Sequence, residues 1–112
     1  MELGKVLVAC GWPCVNYVPH LDTLMQVLSA DVVARYYRLR GEDVAVVSGS
    51  DEHGTPIEVE ALRSDISHEQ LTDKNHAKVV ELFKKWGFSF SNYTGTENAR
   101  EKCISPSEPV KI

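Results

Sequence analysis

The sequence predicts an α/β fold in which helices flank a parallel sheet. Two short, nearly continuous apolar segments, Lys5 to Trp12 and Val44 to Val47, have the pattern of strands buried on both faces. Between them, Leu21 to Leu39 has the apolar spacing of an amphipathic helix. A strand, helix, strand crossover makes the two strands parallel, so their carboxyl ends open onto one edge of the sheet. We therefore expect the loops that follow the two strands to meet there.

The predicted elements have clear boundary signals. Pro13 ends the first strand. The helix that follows carries apolar residues three, four and seven positions apart, and Gly41 provides its carboxyl-terminal stop. Gly49 and Gly54 bracket a polar loop after the second strand.

Two further helices are predicted beyond that loop. Pro56 opens a short one, because proline is favoured at an early helical position. Ser67 and Gln70 match a capping box for a helix from about His68 to Trp86. The polar stretch 72–75 interrupts the apolar face of this helix, so we expect its amino-terminal half to pack loosely.

The end of the chain predicts a third strand and then a tail. Phe88 to Phe90 alternates in the manner of a strand. Residues 94–112 contain two prolines and almost no apolar periodicity, which predicts an extended or disordered segment. We therefore expect one partial domain over residues 1–93 and a tail over 94–112.

Length, charge and cysteine content exclude several classes of protein. The 112 residues suffice for one compact domain of about 100 to 150 residues. A net charge of −4 gives no global attraction to nucleic acid, which disfavours a stand-alone RNA-binding protein. Three cysteines and no apolar run near about 20 residues predict a reduced, cytoplasmic protein that does not associate with membranes. Cys10 and Cys14 lack a second Cys/His pair, so we expect no protein-bound metal.

The first loop carries a candidate phosphate-binding residue, His20, at the start of the predicted helix. A histidine there can donate a hydrogen bond to a phosphate oxygen, while the helix dipole and the free N–H groups attract the same anion. A solvent-exposed capping residue is the plainer interpretation of a lone histidine. Asn16 and Pro19 favour the first interpretation, because they constrain the loop.

The second loop contains Asp51, Glu52 and His53 between two glycines. A carboxylate at the end of a strand could bind a substrate ammonium group, and the glycines allow close backbone approach. For this loop alone, an ordinary solvated turn is equally compatible with the sequence.

Other polar residues are expected at the surface. His68 and His76 lie eight positions apart on the last helix. On the first helix, Arg35, Arg38 and Arg40 are expected to lie on the solvated polar face. Dinucleotide and P-loop fingerprints are missing from the sequence.

The two loops together resemble the start of the catalytic domain of the methionyl-tRNA synthetases, a family of class I aminoacyl-tRNA synthetases. The resemblance rests on Pro19-His20-Leu21, on Ala34-Arg35-Tyr36 and on the whole run from Gly49 to Pro56. It covers about residues 5–93, in an archaeal or eukaryote-like style. The fold it implies is the first half of a Rossmann-like nucleotide-binding domain with a parallel sheet flanked by helices.

The resemblance also implies an activity and a site. In that family the His20 position belongs to the HIGH signature, which grips the phosphates of ATP, bound with Mg²⁺, while methionine is converted to methionyl-adenylate for tRNA charging. His20 is then the catalytic residue, and the Asp51 position holds the methionine ammonium. The implied ATP-binding residues are His20, Leu21, Asp22 and Thr23, and the implied methionine-binding residues are Trp12, Pro13, Cys14 and Asp51.

Three residues depart from the family pattern. Asp22 replaces the glycine of the signature, where the adenine ring lies against the backbone, so its side chain and charge should crowd the base. Cys14 stands where a tyrosine is usual, and Gln26 where a small residue is common. These changes predict weakened binding of ATP and methionine.

Much of the family's machinery is not in this sequence, including the KMSKS loop, the zinc-bearing insertion and the anticodon-binding helices. We therefore expect a catalytic fragment that is weak or inactive alone and contacts tRNA only if other domains complete it. The alternative is a non-catalytic, synthetase-derived module that homodimerises or docks a partner through its exposed half-sheet. Another adenylate-handling enzyme on the same fold is a third possibility, which the run from Gly49 to Pro56 disfavours.

Overall fold

The computed structural model of the protein describes residues 4–97. Three parallel strands form one sheet in the order β1-β2-β3, and three helices connect and flank them. The predicted fold class is confirmed. Within the described residues, every helix falls short of the length and hydropathy needed to span a bilayer. In chain order the elements are β1 (Lys5–Ala9), α1 (Leu21–Leu39), β2 (Asp43–Ser50), α2 (Thr55–Ser64), α3 (His68–Trp86) and β3 (Asn92–Gly95).

The register of the sheet is staggered. β1 pairs with the first part of β2, from Lys5 opposite Asp43 to Ala9 opposite Val47. β3 pairs with the last part of β2, beginning with Asn92 opposite Val47. Because β2 is the central strand and β3 covers only its carboxyl end, the best-buried part of the sheet lies at that end.

The third strand lies four residues later than the sequence predicts, so the assignment of Phe88 to Phe90 as a strand is wrong. The rings of Phe88 and Phe90 pack around Phe83 of α3, with centroids 5.4 and 5.7 Å away. Their alternation reflects this aromatic packing and not a ladder. β3 extends to Gly95, past the expected domain boundary, and residues 98–112 lie outside the described part of the chain. The division into domain and tail stays a prediction.

Helix α3 is packed along most of its length, so the expectation of a loose amino-terminal half is wrong. Thr72, Asn75 and His76 are buried together with the apolar residues of the same face. The predicted capping box is confirmed: Gln70 N donates to Ser67 Oγ at 3.1 Å, and Ser67 N donates to Gln70 Oε1 at 3.2 Å. The helix therefore begins where the sequence indicates, and three of its polar residues, Thr72, Asn75 and His76, face inward.

Within residues 4–97, one cluster of buried side chains forms the apolar core. It joins the loop after β1 to α1, α2, α3 and β3. Tyr93 is buried within it, and this burial raises the pKa of its phenol to about 12. The cluster consists of Cys10, Val15, Val27, Ile57, Ala61, Leu71, Val79, Phe83, Phe88 and Tyr93.

A buried carboxylate fastens α1 to the turn after α3. Asp31 accepts hydrogen bonds from Arg35 Nε at 2.6 Å and from the backbone N and Oγ of Ser89 at 2.8 and 2.7 Å. Arg38 also donates to Ser89, and Arg35 donates to the carbonyl of Gly87. The expectation that Arg35 and Arg38 are solvated is therefore wrong, because both guanidinium groups satisfy buried acceptors in this network.

Substituting Asp31 tests how much this network contributes to stability. Burial alone would raise the pKa of Asp31, but hydrogen bonds from Arg35 and Ser89 outweigh it and hold the pKa below 3.8. We expect Asp31→Asn to lower the free energy of unfolding by about 2–3 kcal/mol at pH 7, because it leaves buried donors poorly paired. Urea denaturation of both proteins measures this difference.

The same comparison has a definite pH dependence. The carboxylate's folded pKa is depressed, so its contribution is fully present above pH 3.8 and is lost as the pH falls through the folded pKa. The difference between wild type and variant should therefore shrink only below that pH. Glu81→Gln is the control, since it removes a carboxylate from the exposed pair with Lys85. Equal stability losses in the two variants would contradict the role of Asp31.

Candidate functional site

The loops after β1 and β2 are joined by backbone hydrogen bonds. Asp51 N donates to the carbonyl of Pro13 at 2.8 Å, and Val15 N donates to the carbonyl of Asp51 at 3.1 Å. These two bonds form a parallel bridge between Cys14 and Asp51. The bridge continues the β1 and β2 pairing beyond the end of β1, so the two loops meet as the strand topology predicts.

Trp12 lies over the end of β2. A Cβ atom added to Gly49 would come within 2.7 Å of the Trp12 ring and 2.6 Å of the Thr94 carbonyl, so only glycine leaves room for the ring at this position. The indole remains partly exposed. Pro13 and Cys14 follow it along the bridge, and the thiol of Cys14 is exposed. The Trp12 ring thus lies at Gly49, two residues before Asp51, and the exposed Cys14 is bridged to Asp51 itself.

Asp51 presents a half-buried carboxylate at this edge. Its Oδ1 accepts a long hydrogen bond, 3.4 Å, from the backbone N of His53. The bridge to Pro13 and Val15 fixes the backbone from which this side chain extends. A carboxylate so placed can accept charge-assisted hydrogen bonds from an ammonium group.

The other two polar residues of the second loop point in different directions. Glu52 is fully buried, and its carboxylate accepts a hydrogen bond from Glu97 N at 2.9 Å. Its own N donates to Thr96 Oγ1 at 3.0 Å, so it fastens the chain after β3. His53 is exposed and stacks on His68, with centroids 5.6 Å apart. His68 is therefore half-buried against His53 and is not a free surface residue.

His20 is the residue that precedes α1. Its backbone is extended, and its carbonyl accepts a hydrogen bond from Leu24 N at 3.1 Å. The side chain is 73% exposed, and its Nδ1 lies 3.8 Å from a carboxylate oxygen of Asp22, which is itself 94% exposed. His20, Leu21, Asp22 and Thr23 thus form the start of the helix, where free N–H groups favour an anion. The Asp22 carboxylate supplies a negative charge at the same place.

Gln26, one turn further along α1, packs against the first loop. A Cβ atom added to Gly11 would collide with the Gln26 side-chain amide. The side chain therefore lies directly on the backbone that leads into Trp12. The effect of this large residue on the surroundings of the site stays a prediction.

The structure also reveals supporting residues that sequence reasoning missed. Asn75 donates to backbone carbonyls of the first loop, and His76 contacts Ser50, the residue before Asp51. The expectation that His76 is a surface residue is wrong, because this ring is buried. A signal exists in the sequence: the apolar residues Leu71, Val79 and Phe83 lie four or eight positions apart, and that stripe passes through position 75.

A further contact ties the first loop to α2. Tyr17 Oη donates to Glu60 Oε2 at 2.6 Å, and this hydrogen bond raises the pKa of the Tyr17 phenol. Among the described residues, no group of three His, Cys, Asp or Glu side chains could hold a metal ion.

Comparison of the sequence with known protein families gives a match. The sequence model of the family described as tRNA synthetases class I (M) matches residues 6–107. The match continues beyond residue 93, so the expectation that the resemblance ends there is wrong.

Individual relatives point to the same family as the sequence model, and a solved structure has a similar fold. The chain is 59% identical over 92 residues to a methionine–tRNA ligase of Korarchaeum cryptofilum, covering 82% of this chain and 16% of the relative. It is 58% identical over 97 residues to that of Ignicoccus hospitalis, covering 86% and 17%. The fold is similar to Mycobacterium tuberculosis methionyl-tRNA synthetase in complex with methionyl-adenylate, with a TM-score of 0.75, 22% identity and coverage of 82% and 18%. The chain spans about one-sixth of the length of these relatives, and it belongs to the methionyl class I tRNA synthetase family.

Proposed function

We propose that this chain forms the part of a methionine–tRNA ligase that binds methionine and the phosphates of ATP for the synthesis of methionyl-adenylate. The Cys14 to Asp51 bridge carries this proposal. It holds Asp51 and the first loop, which contains Trp12, together at the carboxyl edge of a parallel sheet. High identity to methionine–tRNA ligases and the fold shared with an adenylate-bound synthetase support it.

One group of residues binds methionine, and a second group binds the phosphates of ATP. Asp51 accepts hydrogen bonds from the methionine ammonium, and Trp12, Pro13 and Cys14 line the side of the amino acid. His20 and the free N–H groups of Leu21 to Thr23 hold the phosphates. Mg²⁺ would accompany ATP and neutralise phosphate charge, and among residues 4–97 no group of three His, Cys, Asp or Glu side chains could hold it.

The reaction requires no proton transfer from the protein. A carboxylate oxygen of methionine forms a bond to the α-phosphorus of ATP. The bond from that phosphorus to the bridging oxygen breaks, and pyrophosphate leaves. Because His20 only donates hydrogen bonds to the phosphates, its contribution is positional and electrostatic.

Two features make this activity weak in the isolated chain. The Asp22 carboxylate lies at the helix start where phosphates would bind, and the chain is about one-sixth of the relatives' length. Contact with tRNA depends on further domains, since the net charge of −4 gives no attraction to RNA. We assign the protein to the cytoplasm, in keeping with a role in protein synthesis and with the free Cys10 and Cys14.

A specific observation favours a second candidate, a non-catalytic module that homodimerises or docks a partner. β1 is an edge strand with Leu7 exposed, and several apolar side chains of α1 are also exposed, with Leu39 at 90%. An exposed apolar surface of this kind marks an interaction site. A stable interface would bury more than about 1,000 Å² of total surface.

Methionine-dependent exchange between ATP and pyrophosphate tests the proposed function. We expect slow exchange by the wild-type chain that depends on methionine. Asp51→Asn should lower kcat/KM for methionine at least about tenfold, because a charge-assisted hydrogen bond contributes about 1.5–3 kcal/mol. Glu58→Gln, which neutralises an exposed carboxylate on α2, should leave the exchange unchanged.

Two results together would contradict the proposed function. If the wild-type chain catalyses no exchange and binds no methionine in calorimetry, the proposed function is wrong. A stable dimer in sedimentation would then favour the assembly module.

Asp22 is expected to oppose ATP binding. Removal of one charge about 4 Å from a phosphate in water should lower the KM for ATP about fivefold in Asp22→Asn. Asp22→Gly should lower it further, because it also removes the side chain beside the base. Exchange kinetics at varied ATP measure both effects, and thermal unfolding of each variant controls for the stability of α1. An unchanged KM in both variants would contradict ATP binding at the start of α1.

A further inference from the structure

We propose that Asn75 and His76 of α3 are positioning residues that hold the two substrate-binding loops in register with each other. The inference rests on the proposed function, since it gives these buried residues a role at the methionine and ATP site. It starts from one juxtaposition: of two consecutive residues of one helix, Asn75 contacts the first loop and His76 contacts the end of β2, from which the second loop starts.

Asn75 holds the first loop. Its Nδ2 donates to the carbonyl of Val15 at 2.7 Å and to the carbonyl of Asn16 at 3.1 Å. The residue is buried, so these carbonyls cannot exchange the amide for bulk water. Asn is well suited to this position, because a short neutral amide offers two N–H donors from one nitrogen.

His76 holds the end of β2. Its Nδ1 lies 2.8 Å from Ser50 Oγ, and Ser50 Oγ lies 3.1 Å from Tyr93 Oη. All three side chains are buried. Since Ser50 directly precedes Asp51, this hydrogen-bonded chain fixes the backbone from which the proposed ammonium-binding carboxylate extends.

These contacts and the bridge between the loops form a closed circuit. It runs from Asn75 to Val15, across the backbone bridge to Asp51, back to Ser50, and through His76 to the same helix. If either loop shifts relative to the other, at least one bond of the circuit must break. A shift of about 1 Å at a reacting centre can cost about 100-fold in rate, so the circuit bears directly on catalysis.

Buried polar residues can also serve packing alone, and two features separate positioning from packing. The hydrogen bonds of Asn75 end on loop backbone and not on other helices. The amides of Val15 and Asp51 belong to the bridge itself, so their hydrogen exchange reports directly on the register of the two loops.

The experiment measures amide hydrogen exchange and methionine binding in the 112-residue chain. Asn75→Asp keeps the size of the residue but replaces the donors with acceptors, and Asn75→Ala is a second variant that avoids a buried charge. His76→Leu removes the contact with Ser50, and His76→Asn restores a polar partner. Val79→Ala is the matched control, because it removes apolar volume from the same buried helix face without removing a hydrogen bond.

If Asn75 and His76 position the loops, their substitution should speed amide exchange mainly at the bridge between the two loops. We expect the Asn75 variants and His76→Leu to speed exchange of the Val15 and Asp51 amides by at least about tenfold relative to core amides of α3. They should also raise the methionine Kd by about tenfold. Val79→Ala should change neither ratio by more than about twofold, and His76→Asn should recover most of the protection.

The possible results separate this proposal from the proposed function. If the Val15 and Asp51 amides in both Asn75 variants and in His76→Leu exchange as they do in Val79→Ala, the positioning role is overturned. Faster exchange with an unchanged methionine Kd would overturn the link to the substrate site. If the wild type binds no methionine, the proposed function fails, and the exchange of the two amides still decides whether the residues hold the loops.

Discussion

The parallel backbone bridge between Cys14 and Asp51 is the constraint on which the site depends. The chain that leaves β1 does not turn away at once, but runs beside the end of β2 until Val15. Pro13 is compatible with this path because the bridge uses only its carbonyl, and the missing N–H group is not needed there. The bridge thereby places the start of α1, the aromatic ring of Trp12 and the Asp51 carboxylate at one edge of the sheet.

The interior behind this edge contains many polar side chains, and in residues 4–97 their buried polar atoms are hydrogen-bonded. Ser48, Ser50, Glu52 and Thr94 are buried there beside Asn75 and His76. Among residues 4–97, every buried side-chain nitrogen or oxygen has a hydrogen-bond partner. An apolar interior would avoid the desolvation of these groups, but it could not fix loop backbone by directional bonds. The polar interior therefore favours a defined loop geometry over maximal stability.

The sequence predicts the parts of this fold that follow from periodicity and topology. Apolar spacing gives α1, the capping box at Ser67 gives the start of α3, and the crossover rule brings the two loops together. Apolar patterns fail where polar side chains face inward, which is why His76 and the Arg35 pairing with Asp31 were missed. The aromatic pair at 88 and 90 shows the converse, since alternation there reflects packing on Phe83. The role of His20 stays a prediction, because an exposed ring before a helix suits either interpretation.

The start of α1 brings stability and phosphate binding into conflict. An acidic residue in the first turn interacts favourably with the helix dipole, so Asp22 stabilises α1. It also lies close enough to pair with His20 when that ring is protonated. A bound phosphate would use the same N–H groups, the same dipole and the same histidine. Because Asp22 already satisfies part of this positive potential, the stability that it adds to α1 comes with a weaker attraction for a phosphate.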